Sequence, residues 1–121
     1  MKSLLLVAHG SRRMESNEEI AAIANTLRER LKGKYAAVEH AFLELAEPSI
    51  PNAIDQLIDR GSKEVNILPY FLSAGRHVHE DVPDIVQSKQ KEHSKINIRV
   101  FPYLGESQEI IDLLVTLSSD D

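Results

Sequence analysis

One short segment of this chain contains two closely spaced histidines. The segment SAGRHVHEDVP, residues 73–83, follows an apolar run and contains His77 and His79, with acidic residues directly after them. Imidazole nitrogens and carboxylate oxygens are ligands that divalent transition metals accept. If the segment is extended, the spacing His-x-His puts both side chains on one face. If it is a loop, the spacing does not specify where the two side chains lie. The segment is therefore a candidate metal site, with a polar loop as the alternative.

A second candidate, HGSRR at residues 9–13, directly follows the first apolar run of the chain. His9 by itself fits a hydrogen-bonded turn as well as a functional site. Arg12 and Arg13 are able to bind the carboxylates of an anionic ligand, or to lie in a solvated loop. We interpret His40, inside a predicted strand, and His93, at a lysine-rich helix end, as structural or incidental.

The composition limits the chemistry that these residues can perform. The chain has 121 residues, of which 42% are hydrophobic and 27% charged, so we expect one domain over residues 1–121. It has no cysteine, which excludes disulfides, thiolate nucleophiles and cysteine-ligated metals. A net charge of -5 without a basic stripe argues against a nucleic-acid partner. No apolar run approaches the ~18 residues of a membrane span, so we expect no membrane partner and a cytoplasmic location.

Strands and helices alternate along the predicted chain. The predicted strands cover residues 2–8, 36–44, 64–72 and 95–103. The predicted helices run from a capping box at Ser16 and Glu19 to Gly33, and then over 48–60, 83–92 and 107–117. This alternation predicts an α/β fold, a single four-stranded parallel sheet with helices on both faces in a flavodoxin-like three-layer arrangement.

One edge of this predicted sheet collects the chemistry-bearing residues. In such sheets ligands bind beyond the carboxyl ends of the strands. The segments at that edge are His9–Arg13, Glu44 with Glu47, Leu72–Glu80 and Pro102–Gly105. Histidines after two strands and a glutamate after a third could hold a divalent metal and leave positions open for a substrate. Neither a G-x-G-x-x-G fingerprint nor a P-loop is present, which argues against a nucleotide.

Two motifs carry a family resemblance. LLLVAHGSR near the N-terminus and PYFLSAGRHVHEDVP further along resemble the class II tetrapyrrole chelatases, specifically the short-form sirohydrochlorin cobaltochelatases. The resemblance covers essentially the whole chain and implies that His9 and His77 are metal ligands, with His9 also the proton acceptor. It gives His79 no role. The residues implied in substrate binding are Leu72, Ser73, Ala74, Gly75, Arg76 and His77, with Glu44 as a weaker match and Arg12 as a partner for substrate carboxylates.

The resemblance also implies an activity. It is the insertion of cobalt(II), or alternatively iron(II) or nickel(II), into sirohydrochlorin in cobalamin or siroheme biosynthesis, with the metal as a substrate and no tightly bound cofactor. Insertion displaces two pyrrole protons, which a neutral histidine can accept. A homodimer is expected, since longer family members carry two such domains and C2 dimers are the commonest oligomers. Two alternatives stay open: a non-catalytic metal or tetrapyrrole carrier, and a flavodoxin-like regulatory domain with incidental histidines.

Overall fold

A parallel sheet forms the centre of the molecule. The computed structural model describes residues 1–119, apart from the side chain of His77. The strands are β1 (Lys2–Ala8), β2 (Ala37–Phe42), β3 (Glu64–Pro69) and β4 (Asn97–Val100). They pair in parallel in the order β2-β1-β3-β4. All but the first residue of β1 are buried, as expected for a central strand covered on both faces. The predicted four-stranded parallel sheet is confirmed.

Helices cover both faces of this sheet, as predicted. They are α1 (Met14–Arg30), α2 (Ile50–Asp59), α3 (Val82–Glu92) and α4 (Glu109–Leu117). The chain steps from β1 to β2 in one direction and through β3 to β4 in the other, so right-handed crossovers put α1 on one face and α2 with α3 on the opposite face. Within residues 1–119, none of the helices is long and apolar enough to cross a membrane.

The main core lies between the sheet and the two helices α2 and α3 that cover one of its faces. Alternate residues of the strands, such as Leu5 and Val7 of β1, pack there with Ile54 of α2. Helix α2 begins at Ile50, two residues later than predicted, and the Ser49 hydroxyl caps it by accepting a hydrogen bond from the N–H of Asn52 at 3.3 Å. This core holds the strand ends, and therefore the loops that follow them, in fixed positions.

Helix α1 begins earlier than predicted. The capping box predicted at Ser16 is wrong, because α1 starts at Met14 and the N–H of Ser16 already donates to the carbonyl of Arg13 at 3.2 Å. Asn17 secures this end instead. Its Oδ1 accepts from the N–H of Ser11 at 3.0 Å, and its Nδ2 donates to the carbonyl of Ser11 at 2.8 Å. The turn after β1 is thereby tied to the first turn of α1.

Two short helical turns follow β3 and β4 where the sequence analysis expected extended chain or loop. Residues His77–Asp81 form a π-helical turn that leads directly into α3. Residues Leu104–Glu106 form a single 3₁₀ turn. Both turns lie at the carboxyl edge of the sheet, where they shape the loops of the candidate site.

Candidate functional site

The loops after β1 and β3 meet at the point where the topology of the sheet reverses. These two strands are neighbours, yet the chain leaves β1 towards α1 on one face and leaves β3 towards α3 on the other. Loops that diverge in this way open a crevice beyond the strand ends, where ligands bind in open α/β sheets. His9 follows β1, and the segment 70–76 follows β3. The two predicted histidine motifs therefore lie at one crevice.

His9 and Glu44 form the centre of the candidate site. The N–H of Leu43 donates to the carbonyl of Ala8 at 2.9 Å, and the N–H of Glu44 donates to the carbonyl of His9 at 3.0 Å. Backbone pairing of β1 with β2 thus continues past the strand ends and brings the two side chains together. His9 Nε2 lies 3.1 Å from Glu44 Oε2, and the two side chains are 42% and 52% exposed. A ring nitrogen and a carboxylate oxygen therefore face the same solvent-accessible crevice.

Gly10 permits this close approach. Its φ is +97°, and a Cβ at this position would lie 1.8 Å from the carbonyl oxygen of Glu44. Its own carbonyl oxygen lies 3.1 Å from His9 Nδ1, where it can accept a hydrogen bond from that nitrogen. With Nδ1 placed against this carbonyl, Nε2 is the nitrogen that faces Glu44. Between Nε2 and the carboxylate there is a place for a proton or a metal ion.

The segment after β3 turns into a helix instead of staying extended. The N–H groups of Val78 and His79 donate to the carbonyl of Gly75 at 3.2 and 3.0 Å. Residues two positions apart on a helix do not share a face. The extended form of the His-x-His pair, which the sequence left open, is therefore excluded by the backbone.

His79 belongs to a small cavity on the side of the sheet that carries α3. This cavity of about 170 Å³ is lined by His79 together with Pro69, Val82 and Val100, among others. The side chain of His77 lies outside the described part of the structure. Its assignment as a metal ligand therefore stays a prediction.

The residues predicted to contact the substrate form an exposed loop. Leu72, Ser73, Ala74, Gly75 and Arg76 are all exposed. The 3₁₀ turn after β4 supports this loop, because the N–H of Gly105 donates to the carbonyl of Phe71 at 2.9 Å. A Cβ on Gly105 would lie 1.7 Å from the carbonyl oxygen of Leu72. The sequence analysis gave Gly105 no role, although a glycine at a strand-end turn was itself the available signal of a close backbone approach.

Three arginines lie on the loops at this edge. Arg13 pairs with Glu15 at 3.5 Å and Arg76 with Glu80 at 3.7 Å, and both pairs are exposed and therefore weak. Arg12 is exposed and forms no ion pair within residues 1–119. An anionic ligand could therefore bind these guanidinium groups at this edge, because only weak ion pairs would have to break.

His40 is a structural residue of β2. Partial burial lowers the pKa of its imidazole, and this outweighs the opposite effect of neighbouring Glu39. Its ring meets the ring of Phe42 edge-on, with centroids 5.5 Å apart. These contacts agree with the sequence interpretation, which assigned His40 no chemical role.

A second group of ligand-type side chains, Asp55, Glu92 and His93, lies between α2 and α3. Lys89 Nζ already lies 2.9 Å from a carboxylate oxygen of both Asp55 and Glu92. Burial raises the pKa of Asp55, but hydrogen bonds from Lys89 and His93 outweigh it, so the pKa lies below its ordinary value. An ammonium group thus already occupies the space between the two carboxylates and offsets part of their charge. The cluster joins two helices and is separate from the His9 crevice.

Comparisons with known proteins extend over nearly the whole chain. A family model described as CbiX matches residues 3–120. The chain is 38% identical over 111 residues to the sirohydrochlorin ferrochelatase, chloroplastic, of Arabidopsis thaliana. This alignment covers 92% of the present chain and 48% of the relative. The chain is also 34% identical over 114 residues to the sirohydrochlorin cobaltochelatase of Sulfolobus acidocaldarius. That alignment covers 94% of the present chain and 87% of the relative.

A solved structure shows the same fold. The crystal structure of a putative cobalamin (vitamin B12) biosynthesis CbiX protein from Marinobacter aquaeolei VT8 matches with a TM-score of 0.78 and 26% identity, over 97% of this chain and 93% of that one. Several curated relatives are longer, and the chain spans between 48% and 64% of their length.

Proposed function

Because the chain belongs to the CbiX family, we propose that it is a chelatase that inserts a divalent metal ion into sirohydrochlorin. The family match confirms the resemblance carried by the two sequence motifs. The observation that carries the proposal is the His9–Glu44 pair, 3.1 Å apart at the topological switch point. We propose cobalt(II) as the metal, with iron(II) or nickel(II) as alternatives, because the Sulfolobus acidocaldarius relative named a cobaltochelatase matches over 87% of its length.

The spacing of His9 and Glu44 suits a metal ion that is held between them. Imidazole nitrogens and carboxylate oxygens bind such ions at about 2.1 Å, so two ligand atoms 3.1 Å apart subtend about 95° at the metal. That angle fits neighbouring positions of an octahedral ion. The sequence analysis placed Glu44 among the substrate contacts, and we propose that it is a metal ligand beside His9. His77, from the loop after β3, would supply a third ligand and leave the other positions open.

The same pair is suited to receive the protons that insertion displaces. Two pyrrole N–H protons must leave as the metal enters the macrocycle, and a neutral imidazole is an effective acceptor. We propose that, once the metal has moved to the macrocycle nitrogens, His9 Nε2 accepts one of these protons and the Glu44 carboxylate, 3.1 Å away, stabilises the imidazolium that forms. The second proton passes to solvent water in the exposed crevice. Metal delivery and proton removal then take place at one point of the crevice.

Exposed apolar side chains around the crevice would cover the flat macrocycle. Met14 follows the loop after β1, Leu45 lies in the loop after β2, and Leu72 lies in the loop after β3. These side chains are 68%, 53% and 71% exposed. Large exposed apolar groups clustered at one edge are typical of a binding surface. The carboxylates at the rim of sirohydrochlorin would bind Arg12 and Arg76.

We further propose that the protein acts as a homodimer in the cytoplasm. The support for a dimer is α4, an aliphatic helix of which no residue is buried. Burial of such surface is favourable, and contiguous exposed apolar patches mark interaction sites. A two-fold pair is the commonest way for a chain to cover such a surface with its own copy.

A metalation assay tests the proposed activity. Purified protein is mixed with sirohydrochlorin and cobalt(II), iron(II) or nickel(II) in turn, and the absorbance spectrum is followed against the same mixture without protein. We expect the protein to accelerate the conversion of the free macrocycle to its metal complex, most strongly with cobalt(II). A spectral shift on binding without faster metalation would show a carrier and contradict the proposal.

A Gly75→Ala variant tests whether the macrocycle packs against the loop after β3. No atom lies within 4 Å of a Cβ at this position, so the melting temperature should be unchanged. A flat ring against this backbone would collide with the added methyl group, and we expect the KM for sirohydrochlorin to rise several-fold. Cobalt(II) binding without sirohydrochlorin, measured by calorimetry, is the control and should stay at the parental value. An unchanged KM would place the macrocycle elsewhere.

A further inference from the structure

One peptide group of the loop after β1 links His9 to Asn17. Its carbonyl oxygen, which belongs to Gly10, lies 3.1 Å from His9 Nδ1. Its N–H, which belongs to Ser11, donates to Asn17 Oδ1 at 3.0 Å. The carbonyl and the N–H of a trans peptide lie in one plane and point in opposite directions. A chain of polar contacts therefore runs from Asn17 through this peptide group to the ring of His9, whose Nε2 lies 3.1 Å from Glu44.

The glycine at position 10 leaves this peptide group easy to rotate. A side chain does not fit there, because a Cβ would lie 1.8 Å from the carbonyl oxygen of Glu44. The same lack of a side chain leaves the dihedral angles of Gly10 weakly restricted. Rotation of the peptide plane would turn the carbonyl away from His9 and the N–H away from Asn17. The contact between the carbonyl and the His9 ring therefore depends on what holds the plane from outside the loop.

Asn17 holds the plane from a helix. Its backbone lies in the first turn of α1, where its N–H donates to the carbonyl of Arg13 at 3.4 Å, and α1 packs against β2. Its side chain is half-buried and makes a second bond, from Nδ2 to the carbonyl of Ser11 at 2.8 Å. An amide offers an acceptor and a donor side by side, so one side chain grips the backbone on both sides of the Ser11 Cα.

We propose that Asn17 is a positioning residue, which orients the ring of His9 for metal binding by holding the Gly10–Ser11 peptide group. A metal-binding histidine donates its other ring N–H to a fixed acceptor, and here the Gly10 carbonyl stands at Nδ1. The bond from the N–H of Ser11 to Asn17 polarises the peptide group and strengthens that carbonyl as an acceptor. This inference rests on the proposed function, since it concerns a ligand of the proposed metal site.

Cobalt(II) binding without sirohydrochlorin tests the role of Asn17 first. Asn17→Ala removes both bonds to Ser11. Asn25→Ala is the matched control, because Asn25 is an exposed asparagine of the same helix, whose Oδ1 accepts from Arg28 at 2.6 Å. We expect the dissociation constant from calorimetry to rise about tenfold or more for Asn17→Ala, as for other partners of metal-binding histidines. It should stay at the parental value for Asn25→Ala, and parental affinity in Asn17→Ala would overturn the proposal.

A second variant keeps the test decisive if Asn17→Ala does not fold. Asn17→Gln places a better helix former in α1. Its amide lies one methylene further from the backbone, so it cannot make both bonds to Ser11 in the present arrangement. We expect the same loss of cobalt affinity with a parental melting temperature, and an Asn17→Gln variant with parental affinity would contradict the role of the amide.

A spectroscopic signature separates positioning from a merely structural role. In the NMR spectrum of the cobalt(II)-saturated protein, the ring N–H of a bound histidine gives a strongly shifted, exchangeable signal, and that of His9 is identified by its absence in His9→Ala. We expect this signal in the parent and in Asn25→Ala. In Asn17→Ala it should disappear through faster exchange with water, because the Gly10 carbonyl is no longer held against Nδ1. A merely structural role would lower the melting temperature and leave the signal in place, which would overturn the proposal.

Metalation kinetics provide the last readout. Asn17→Ala should lower kcat and leave the KM for sirohydrochlorin unchanged, because Asn17 acts through a metal ligand and not on the macrocycle. A higher KM with parental kcat would mean that Asn17 positions the macrocycle instead, which contradicts the proposal. If the parent binds cobalt(II) but does not accelerate metalation, the chelatase proposal fails, and calorimetry and the His9 signal still decide the role of Asn17.

Discussion

Replacing His9 with alanine is expected to slow cobalt insertion by about a hundredfold or more, because a positioned proton acceptor contributes about 10² to 10⁴ in rate. Cobalt(II) binding without sirohydrochlorin should weaken too, since the substitution removes one of the two proposed ligand atoms, which lie 3.1 Å apart. The fold should persist, because His9 is a half-exposed loop residue outside the core. Absorbance kinetics, calorimetry with cobalt(II) and thermal melting measure these three effects separately.

Matched glutamate variants test whether Glu44 acts with His9. Glu44→Gln keeps the size of the side chain but removes the charge that would stabilise a metal ion or an imidazolium. We expect it to weaken cobalt binding and to slow insertion, though less than His9→Ala does. Glu47→Gln is the control, because Glu47 is an exposed acidic residue of the same loop and forms no ion pair within residues 1–119. If Glu44→Gln and Glu47→Gln weakened cobalt binding equally, the effect would come from the overall negative charge of the loop and not from a specific contact of Glu44.

The pH profile gives an independent test of His9. The rate should fall as the pH is lowered, because a protonated imidazole neither binds a metal nor accepts a pyrrole proton. Stability has its own dependence through His40, whose pKa is lowered by burial. The unfolded chain therefore protonates His40 more readily than the folded protein does. The free energy of unfolding consequently falls as the pH drops below about 6.5, and this loss is complete once the pH is below the pKa of His40 in the folded protein. Melting temperatures at each pH separate the two effects, and a His9→Ala enzyme with parental rate at every pH would contradict the assignment.

Burial of both faces made the sheet predictable from the sequence. A strand covered on both sides leaves a continuous apolar run, and residues 2–8 form β1 with the predicted bounds. The other three strands end two or three residues earlier than predicted. The apolar residues beyond them, such as Leu43 and Phe71, pack against the core from loops. An apolar run therefore marks burial, and it does not specify that the backbone is extended.

Local hydrogen bonding decided the features that the sequence did not specify. A capping box at Ser16 was a reasonable prediction, but the amide of Asn17 binds both backbone groups of Ser11 and allows α1 to start earlier. The π-helical turn at His77–Asp81 has no periodic sequence signature. Neither feature can be deduced from hydrophobic spacing, because each depends on which backbone group a single polar atom reaches.

The composition of the candidate site was predictable, whereas its geometry was not. Parallel strands share one carboxyl edge, which was enough to group His9 with Glu44 from the sequence. Their 3.1 Å separation depends on two hydrogen bonds beyond the strand ends and on the contact between Gly10 and the Glu44 carbonyl. Those interactions turn two residues at one edge into a pair that can act on one metal ion.

Replacing His77 with alanine is expected to abolish or strongly reduce metalation, whereas His79→Ala should leave it within a few-fold of the parent. The two histidines lie in one π-helical turn, so an extended chelating pair is not formed. The family resemblance assigns His77 to the metal. His79 is exposed and borders the small cavity formed with Pro69 and Val82, whose lining includes neither His9 nor Glu44.

The two variants control for each other, because both exchange a histidine for alanine within the same π-helical turn. Calorimetry with cobalt(II) alone should show a clear loss of affinity for His77→Ala. For His79→Ala the change should stay under about 1 kcal/mol, which is less than a tenfold change in affinity. The melting temperature of His79→Ala should stay close to that of the parent, because His79 is exposed and surface substitutions alter stability by about 0.5 kcal/mol or less. Equal losses of cobalt affinity would mean that both rings reach the metal and that the turn rearranges on binding, which would contradict the assignment of His77 alone.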